Sequence, residues 1–355
     1  MKSGSTVPLT IETIAFGGDG LGRHEGRVIF VPFTAPGDEI EARLTEIKPG
    51  FARASVQNFR KSGPGRENPP CPYYRTCGGC QYQHLTYAAE LHIKEQQVRE
   101  TLARLGKIPD PPVLPILPSP QPYGYRNRIT VHARDGKIGF HGVNPNKIVE
   151  VEKCLLAMPE VNDLLAELQI RRPGEGHYSL RHPSLPPSAF FQTNQFLLQP
   201  LLDLVAASFP SAGILVEGYC GGGFFTRVVA DRFARVIGIE SDGRSLRDAH
   251  RLVLPNVEWI EGRVEDHLGH VLKNLPAAET SVLLDPPREG LEKTVREALL
   301  DHPVRDMVQV SCNPATLARD AKILQEKYTL VSVQPIDLFP RTAQIECVVR
   351  WKKRD

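Results

Sequence analysis

From Gly213 to the C-terminus, short apolar runs that end in polar or acidic residues alternate with segments of helical character. That alternation admits little besides a parallel sheet with helices on both faces, an α/β doubly wound arrangement. The expected strands are Ile214-Leu215-Val216-Glu217, Arg235-Val236-Ile237-Gly238-Ile239-Glu240, Val257-Glu258-Trp259-Ile260-Glu261, Ser281-Val282-Leu283-Leu284-Asp285 and Asp306-Met307-Val308-Gln309-Val310. Ligands of open sheets sit beyond the carboxyl ends of the strands, so the residues just past each run are the candidate site residues.

Gly218-Tyr219-Cys220-Gly221-Gly222-Gly223-Phe224-Phe225-Thr226 follows the first strand and enters a helix expected to reach about Arg232. Its glycines let a ligand approach the backbone and the helix N-terminus. The second strand ends in Glu240, about twenty residues on, where doubly wound folds hold ribose hydroxyls with a carboxylate. Together, turn and acid point to an adenosine-containing cofactor. In Asp285-Pro286-Pro287-Arg288 the prolines stiffen the backbone and aim Asp285 into the crevice.

The fifth strand delivers Ser311-Cys312-Asn313-Pro314 ahead of a helix expected over Ala315 to Lys327. A thiolate is electrostatically favoured at such a place. A lone cysteine there is more often core filler, and Cys220 and Cys347 are read that way. Gln344-Ile345-Glu346-Cys347-Val348-Val349 is a late strand carrying Glu346 among apolar neighbours, where burial would raise its pKa and suit proton transfer.

Upstream, Val7 to Phe59 is a series of short strands broken by glycine, with turns expected at Gly17-Gly18-Asp19-Gly20 and Pro36-Gly37-Asp38, which describes a small antiparallel barrel. Cys71, Cys77 and Cys80 then fall within ten residues, with Gly78-Gly79 between the last two. Cys154 is the candidate fourth ligand; local spacing leaves zinc and an iron–sulfur cluster both open. Tyr87 to Lys107 has helical periodicity, and a proline-rich linker runs from Pro109 to Pro122. Tyr125 to Arg134 alternates as a strand into the Asp135-Gly136 hairpin turn, placing Arg126, Arg128 and Arg134 on one side of an ideal strand, a set able to track phosphates. Val161 to Leu168 reads as a short helix, and Phe190-Phe191-Gln192-Thr193-Asn194 leads into an apolar helix from Phe196 to Ser208.

Across 355 residues, 43 basic side chains nearly cancel 41 acidic ones, so overall charge demands no nucleic-acid partner and local clusters must carry that case. Without a membrane-length apolar run or a signal-peptide core, a cytoplasmic chain without membrane association is expected. Seven cysteines in that compartment are expected to stay reduced unless they hold metal or do chemistry.

These residues, taken in order, resemble the RNA 5-methyluridine methyltransferase family of the TrmA/RumA type, over essentially the whole length. Residues 17–23 and 31–38 resemble the TRAM domain, an RNA-binding barrel with an OB-like fold. Phe191-Gln192-Thr193-Asn194, the glycine turn, Glu240, Asp285-Pro286-Pro287-Arg288, Ser311-Cys312-Asn313-Pro314 and Glu346 match the motifs of its Rossmann-like class I catalytic domain. The resemblance implies three parts: a TRAM barrel over 1–62; a central β-rich iron–sulfur and RNA-binding region over 63–189, whose helix 85–107 packs on the catalytic domain; and a methyltransferase domain over 190–355. It implies S-adenosylmethionine as methyl donor, held by Gln192, Tyr219, Gly221, Gly223, Glu240 and Asp285, and a 4Fe-4S cluster on Cys71, Cys77, Cys80 and Cys154. Cys312 becomes the nucleophile, Glu346 the acceptor of the C5 proton, and Asp285 a further catalytic group. The implied partner is RNA, ribosomal before transfer RNA, acted on by a monomer. Two positions depart from the family pattern: Phe224 stands where Asn is usual, and Arg341 where His is usual.

Overall fold

A computed structural model describes residues 2–185, 192–209 and 213–355. The chain divides into two compact units: Met1–Gln97 with Pro120–His182 and Phe339–Gln344, and Val98–Ser119 with Pro183–Leu338 and Ile345–Asp355. Among the described residues no helix is long and apolar enough to cross a membrane.

The first unit opens with β1 (Thr6–Thr10), β2 (Thr13–Ile14), β3 (Asp19–His24), β4 (Arg27–Pro32), β5 (Glu39–Ile47) and β6 (Phe51–Lys61). They form one sheet in the order β1-β5-β6-β4-β3-β2, antiparallel except for β4 against β6. Its first and last members are joined through Ile11 and Glu12, whose amide donates to Leu21, so the sheet curls into a barrel. Alternate residues such as Leu9, Ile29, Val31, Ile40, Leu44 and Ala52 fill the interior. The turn expected over residues 17–20 is shorter: Gly17 and Gly18 take positive φ, and Asp19 and Gly20 already belong to β3. Asp38 of the second turn is a tie. Burial alone would raise its pKa, but hydrogen bonds from Arg66, Gly63 N and Ala35 N hold it below the usual carboxylate value.

In the chain, α1 (Tyr87–Arg104) comes next, and the division between units falls within it. Ile93 joins the core beside Ile14 and Tyr82, whereas Val98 and Leu102 join the core of the second unit. The first unit continues with β7 (Arg128–Arg134), β8 (Lys137–His141), β9 (Ile148–Glu150), α2 (Pro159–Arg171) and β10 (Gly176–Arg181). The strands make an antiparallel sheet, β10-β7-β8-β9, and α2 covers one face through Val161, Leu165 and Leu168 against Ile129, Val131 and Ile138.

The second unit comprises α3 (Leu198–Ala207), β11 (Ile214–Gly218), α4 (Thr226–Val229), β12 (Arg235–Glu240), α5 (Gly243–His250), β13 (Val257–Glu261), α6 (Val264–Lys273), β14 (Thr280–Leu284), α7 (Lys293–Asp301), β15 (Asp306–Ser311), α8 (Pro314–Leu324), β16 (Tyr328–Ile336) and β17 (Glu346–Lys353). The sheet order is β13-β12-β11-β14-β15-β17-β16. Five strands run parallel and β17 runs antiparallel to both neighbours. Every residue of β14 is buried, as a strand covered on both faces requires. The helix after the glycine turn is shorter than expected: α4 ends at Val229 and a 3₁₀ turn covers Ala230–Arg232. The proline-rich linker is partly ordered by pairing. Val113 and Leu117 form parallel bridges to Val333 and Ile336, giving the edge strand β16 a partner that cannot propagate pairing further.

Candidate active site

Three strand ends converge at the carboxyl edge of the second unit's sheet. Asp285 follows β14, Cys312 follows β15, and Glu346 opens β17. Because β17 is antiparallel, its first residue lies at the same edge as the last residues of its parallel neighbours. Ser311 is in register with Cys347, and Cys312 and Glu346 are the next residues outward.

The electrostatics of this edge are those of buried acids. Burial raises Asp285 to about 7. Burial and then the Asp285 carboxylate push Glu346 well above its ordinary value, while Arg288 opposes them. The Cys312 thiol is raised to about 11 by burial, then by Glu346 and Asp285, again against Arg288. Each of these groups holds its proton more tightly than it would in water, and a positive charge brought among them would favour their ionised forms.

The loop after β14 is stitched to the start of α8. Asn313 caps that helix by accepting from Ala315 N, and its Nδ2 donates to the Arg288 carbonyl at 3.2 Å, which Thr316 Oγ1 also reaches. Deeper along α8, buried Asp320 accepts from Leu291 N and from Arg296 and Arg319. These bonds hold the Asp285 and Cys312 segments against each other independently of any ligand.

The glycine turn follows β11, the strand beside β14. Tyr219, Gly221 and Gly223 have positive φ of 62, 55 and 78. At Gly223 it is the positive φ that calls for glycine; a Cβ there would also crowd the tip of the Leu252 side chain. Glu240 closes the turn: Oε2 accepts from Gly221 N at 2.9 Å and Oε1 from Asp242 N at 2.7 Å. Ser241 Oγ also donates to Oε1, at 3.3 Å, so it is Oε2 that retains acceptor capacity for a further hydroxyl. Tyr219 donates its hydroxyl to Glu265 at 2.7 Å. Gln192 is buried; Phe191 and Phe190, read in the same motif, lie outside the described residues.

Glu217 is the acid near the end of the first strand, ahead of the Tyr219-Cys220-Gly221 run. It is buried beneath the turn, accepts from Thr226 Oγ1 at 2.6 Å, and is raised to about 8 by burial, with Asp285 adding to the effect. The signal that could have found it is the acid at the end of an otherwise apolar strand. Cys220 and Cys347 are buried core thiols, as expected. Phe224 is buried and stacks edge-on against Phe225. Arg341 is buried in the first unit, its side chain donating to the Leu85 carbonyl at 2.6 Å and pairing with Glu67 at 3.1 Å.

The first unit holds the second constellation. Cys71, Cys77, Cys80 and Cys154, all free thiols, line one small apolar cavity of about 50 Å³ with Gln83 and Arg126. Gly78 permits the approach: its amide donates to His141, and a Cβ there would sit 2.9 Å from the Gly142 carbonyl. On the other side, Asn162 of α2 grips both backbone groups of Cys154, at 2.8 and 3.1 Å. Nothing in the spacing foretold Asn162. Burial pushes Cys80 up to about 12 and raises Cys77 and Cys154 as well. The Gln83 Oε1 is buried without a hydrogen-bond partner beside this cavity. Among the described residues no group of three or more His, Cys, Asp or Glu is arranged to hold a metal ion. Arg126 belongs to this cavity and precedes β7, so the expected row of three arginines on one strand is two, Arg128 and Arg134.

Comparison with known proteins accords with both units. The TRAM domain profile matches residues 2–56, and that of the tRNA (uracil-5-)-methyltransferases matches residues 270–354. An uncharacterized RNA methyltransferase of Bdellovibrio bacteriovorus is 32% identical over 98% of this chain and 95% of its own length. Another, from Gloeobacter violaceus, is 31% identical over 99% and 98%. Among solved structures, the Pyrococcus abyssi tRNA (uracil-54, C5)-methyltransferase in complex with S-adenosyl-L-homocysteine superposes with a TM-score of 0.71, covering 97% of this chain and 100% of that one. At 24% identity this likeness speaks for the fold.

Proposed function

Because the chain belongs to the RNA (uracil-5-)-methyltransferase family, we propose that it methylates C5 of a specific uridine in 23S ribosomal RNA, using Cys312 as nucleophile and Glu346 as base. The observation that carries this reading is the meeting of Cys312, Asp285 and Glu346 at one sheet edge.

Uracil C5 is a poor nucleophile until a bond at C6 makes it enolate-like. Cys312 Sγ forms that bond, its thiol proton leaving to solvent or to a neighbouring carboxylate. S-Adenosylmethionine, when bound, supplies the methyl cation that C5 takes up and a sulfonium charge that favours the ionised forms of the acids around it. Glu346 then removes the C5 proton, and the electron pair of that bond restores the ring double bond as the Cys312 Sγ–C6 bond breaks. Asp285 hydrogen-bonds the base or the donor. On the cofactor side, Glu240 would hold ribose hydroxyls, Gly221 and Gly223 would let the donor approach the backbone, and Tyr219 and Gln192 would line its site. The base must leave its stack to reach the edge.

The four cysteines would hold a 4Fe-4S cluster. Their donor set, their shared apolar cavity and the Arg126 guanidinium that lines it support that fit. The cluster would staple the 71–80 segment to the loop at Cys154, and no step of the reaction passes through it.

The conjunction of barrel and four-cysteine site supports ribosomal RNA. Transfer RNA is the second reading, favoured by the substrate named for the Pyrococcus abyssi enzyme. Labelled methyl transfer to total RNA from cells lacking the gene, followed by nucleoside analysis and mapping, decides. 5-Methyluridine in 23S RNA is the expected result; label in transfer RNA selects the second reading, and label in 5-methylcytidine or an exocyclic N-methyl base overturns both.

A further inference from the structure

Arg126 is a cation placed among thiols. It is half-buried, and of the residues lining the four-cysteine cavity of the first unit it is the one whose side chain is always charged. Its backbone is fixed there independently of the side chain. The amide donates to the Leu156 carbonyl at 2.8 Å and the carbonyl accepts from Met158 N at 3.0 Å, which laces Arg126 to the loop following Cys154. Nε of the guanidinium donates to the Tyr125 hydroxyl, a long bond of 3.4 Å, and that hydroxyl donates in turn to the Pro340 carbonyl at 2.9 Å. Burial keeps the Tyr125 phenol protonated, so it offers a dipole and no countercharge. Among the described residues no carboxylate forms an ion pair with Arg126; what favours its charge, against burial, is Tyr125 and then the Cys154 and Cys80 thiols. A guanidinium so placed is destabilising unless an anion shares its site.

We propose that Arg126 is the counter-cation of the group held by Cys71, Cys77, Cys80 and Cys154, placed to stabilise the negative charge of that group and not to contact RNA. The inference rests on the reading of these cysteines as ligands of a 4Fe-4S cluster. Four thiolates outweigh the positive charge of such a core, so the liganded cluster is an anion, and reduction adds to its charge. A guanidinium beside it therefore favours retention of the cluster, and favours the reduced form over the oxidised one. Arginine suits the place better than lysine would, being always ionised and more weakly hydrated. The thiols feel the same influence: burial favours the protonated forms of Cys77, Cys80 and Cys154, and the Arg126 charge acts on all three in the opposite sense.

The test uses the full chain purified without oxygen and a redox titration with dithionite, which supplies one electron per cluster, followed by the visible absorption. In Arg126→Gln the ratio of reduced to oxidised cluster at a given potential should fall about tenfold, or about 60 mV for one electron. An iron chelator should strip that variant several-fold faster than the parent. Arg126→Lys, which keeps the charge, should stay close to the parent in both measurements. Labelled RNA should bind Arg126→Gln with the salt slope of the parent, because no phosphate contact has been removed. Thermal unfolding of each variant checks folding, and Arg126→Leu, which leaves no polar group unpaired, replaces Arg126→Gln if that variant does not fold.

A folded Arg126→Gln that takes up no iron while Arg126→Lys is loaded supports the inference in its strongest form. If neither folded variant takes up iron, shape rather than charge is what the site requires and the inference fails. It fails also if loaded Arg126→Gln keeps the potential and chelation rate of the parent, or if its salt slope for RNA is lessened by about 1; in both cases the cluster reading stands. A parent chain without iron and sulfide defeats the cluster reading instead, and this inference with it.

Discussion

Cys312 and Glu346 continue a single register pair: Ser311 on β15 lies opposite Cys347 on β17, and the thiol and the buried carboxyl are the residues just beyond. Two residues separated in sequence by α8, β16 and a loop are thereby brought to one edge, where Glu346 raises the affinity of Cys312 for a proton.

If Cys312 bonds to C6, RNA containing 5-fluorouridine should trap the chain, because C5 then carries fluorine in place of the proton whose removal expels the Cys312 sulfur. The parent protein should run as a retarded adduct on a denaturing gel. Cys312→Ala should form none and lose ~10⁴-fold or more in methyl transfer. An adduct formed by Cys312→Ala would show that another group is the nucleophile.

Glu346→Gln should lower turnover by ~10²- to 10⁴-fold, the span typical of a lost general base. Since C6 addition precedes proton removal, this variant should accumulate the methylated covalent adduct with unmodified uridine RNA. Loss of turnover without any adduct, with S-adenosylmethionine binding intact by calorimetry, would place Glu346 before addition rather than after it.

The pH dependence has a definite sign. Glu346 must be ionised to accept a proton and Cys312 to attack, yet burial holds Glu346 well above its ordinary value and lifts Cys312 to about 11. Log kcat/KM, which reports the free enzyme, should therefore climb from about pH 6 to about pH 9. A profile flat over that range would mean that neither ionisation limits the reaction.

Glu217 makes a stability prediction separable from chemistry. Its carboxyl is raised from 4.5 to about 8 by burial, so its contribution to stability is full below its unfolded pKa and is lost as pH rises toward about 8. Glu217→Gln keeps an oxygen for the Thr226 hydroxyl and removes the titration. It should flatten the pH dependence of unfolding across that window and leave the variant more stable than the parent at the alkaline end, by ~3 kcal/mol. Denaturant unfolding at both ends of the window measures this.

Anaerobically purified protein should carry about four iron atoms per chain, with matching sulfide and a broad visible absorption. Cys154→Ser should lose both and unfold at lower temperature, because the loop at Cys154 would lose its link through the cluster to the 71–80 segment. Full iron content in Cys154→Ser would assign the fourth ligand elsewhere.

Much of this was legible from the chain alone because its signals are local. Apolar runs separated by helical segments specify parallel strands, a glycine turn needs its positive φ wherever it occurs, and Asp285 and Cys312 follow their strands directly. Cys71, Cys77 and Cys80 are likewise close enough in sequence to declare a shared site. What the sequence could not decide was partnership across distance. Arg126 reads as one more strand cation until the fold turns it onto the thiol cavity, and Glu217 as an ordinary strand end until Thr226 and Asp285 close around it. Glu346 is the clearest instance. Its residue type and apolar neighbours were visible, but its place beside Cys312 depends on β17 entering the sheet antiparallel between β15 and β16. Strand direction and order are set by how the whole sheet buries its two faces, a property that no local stretch carries.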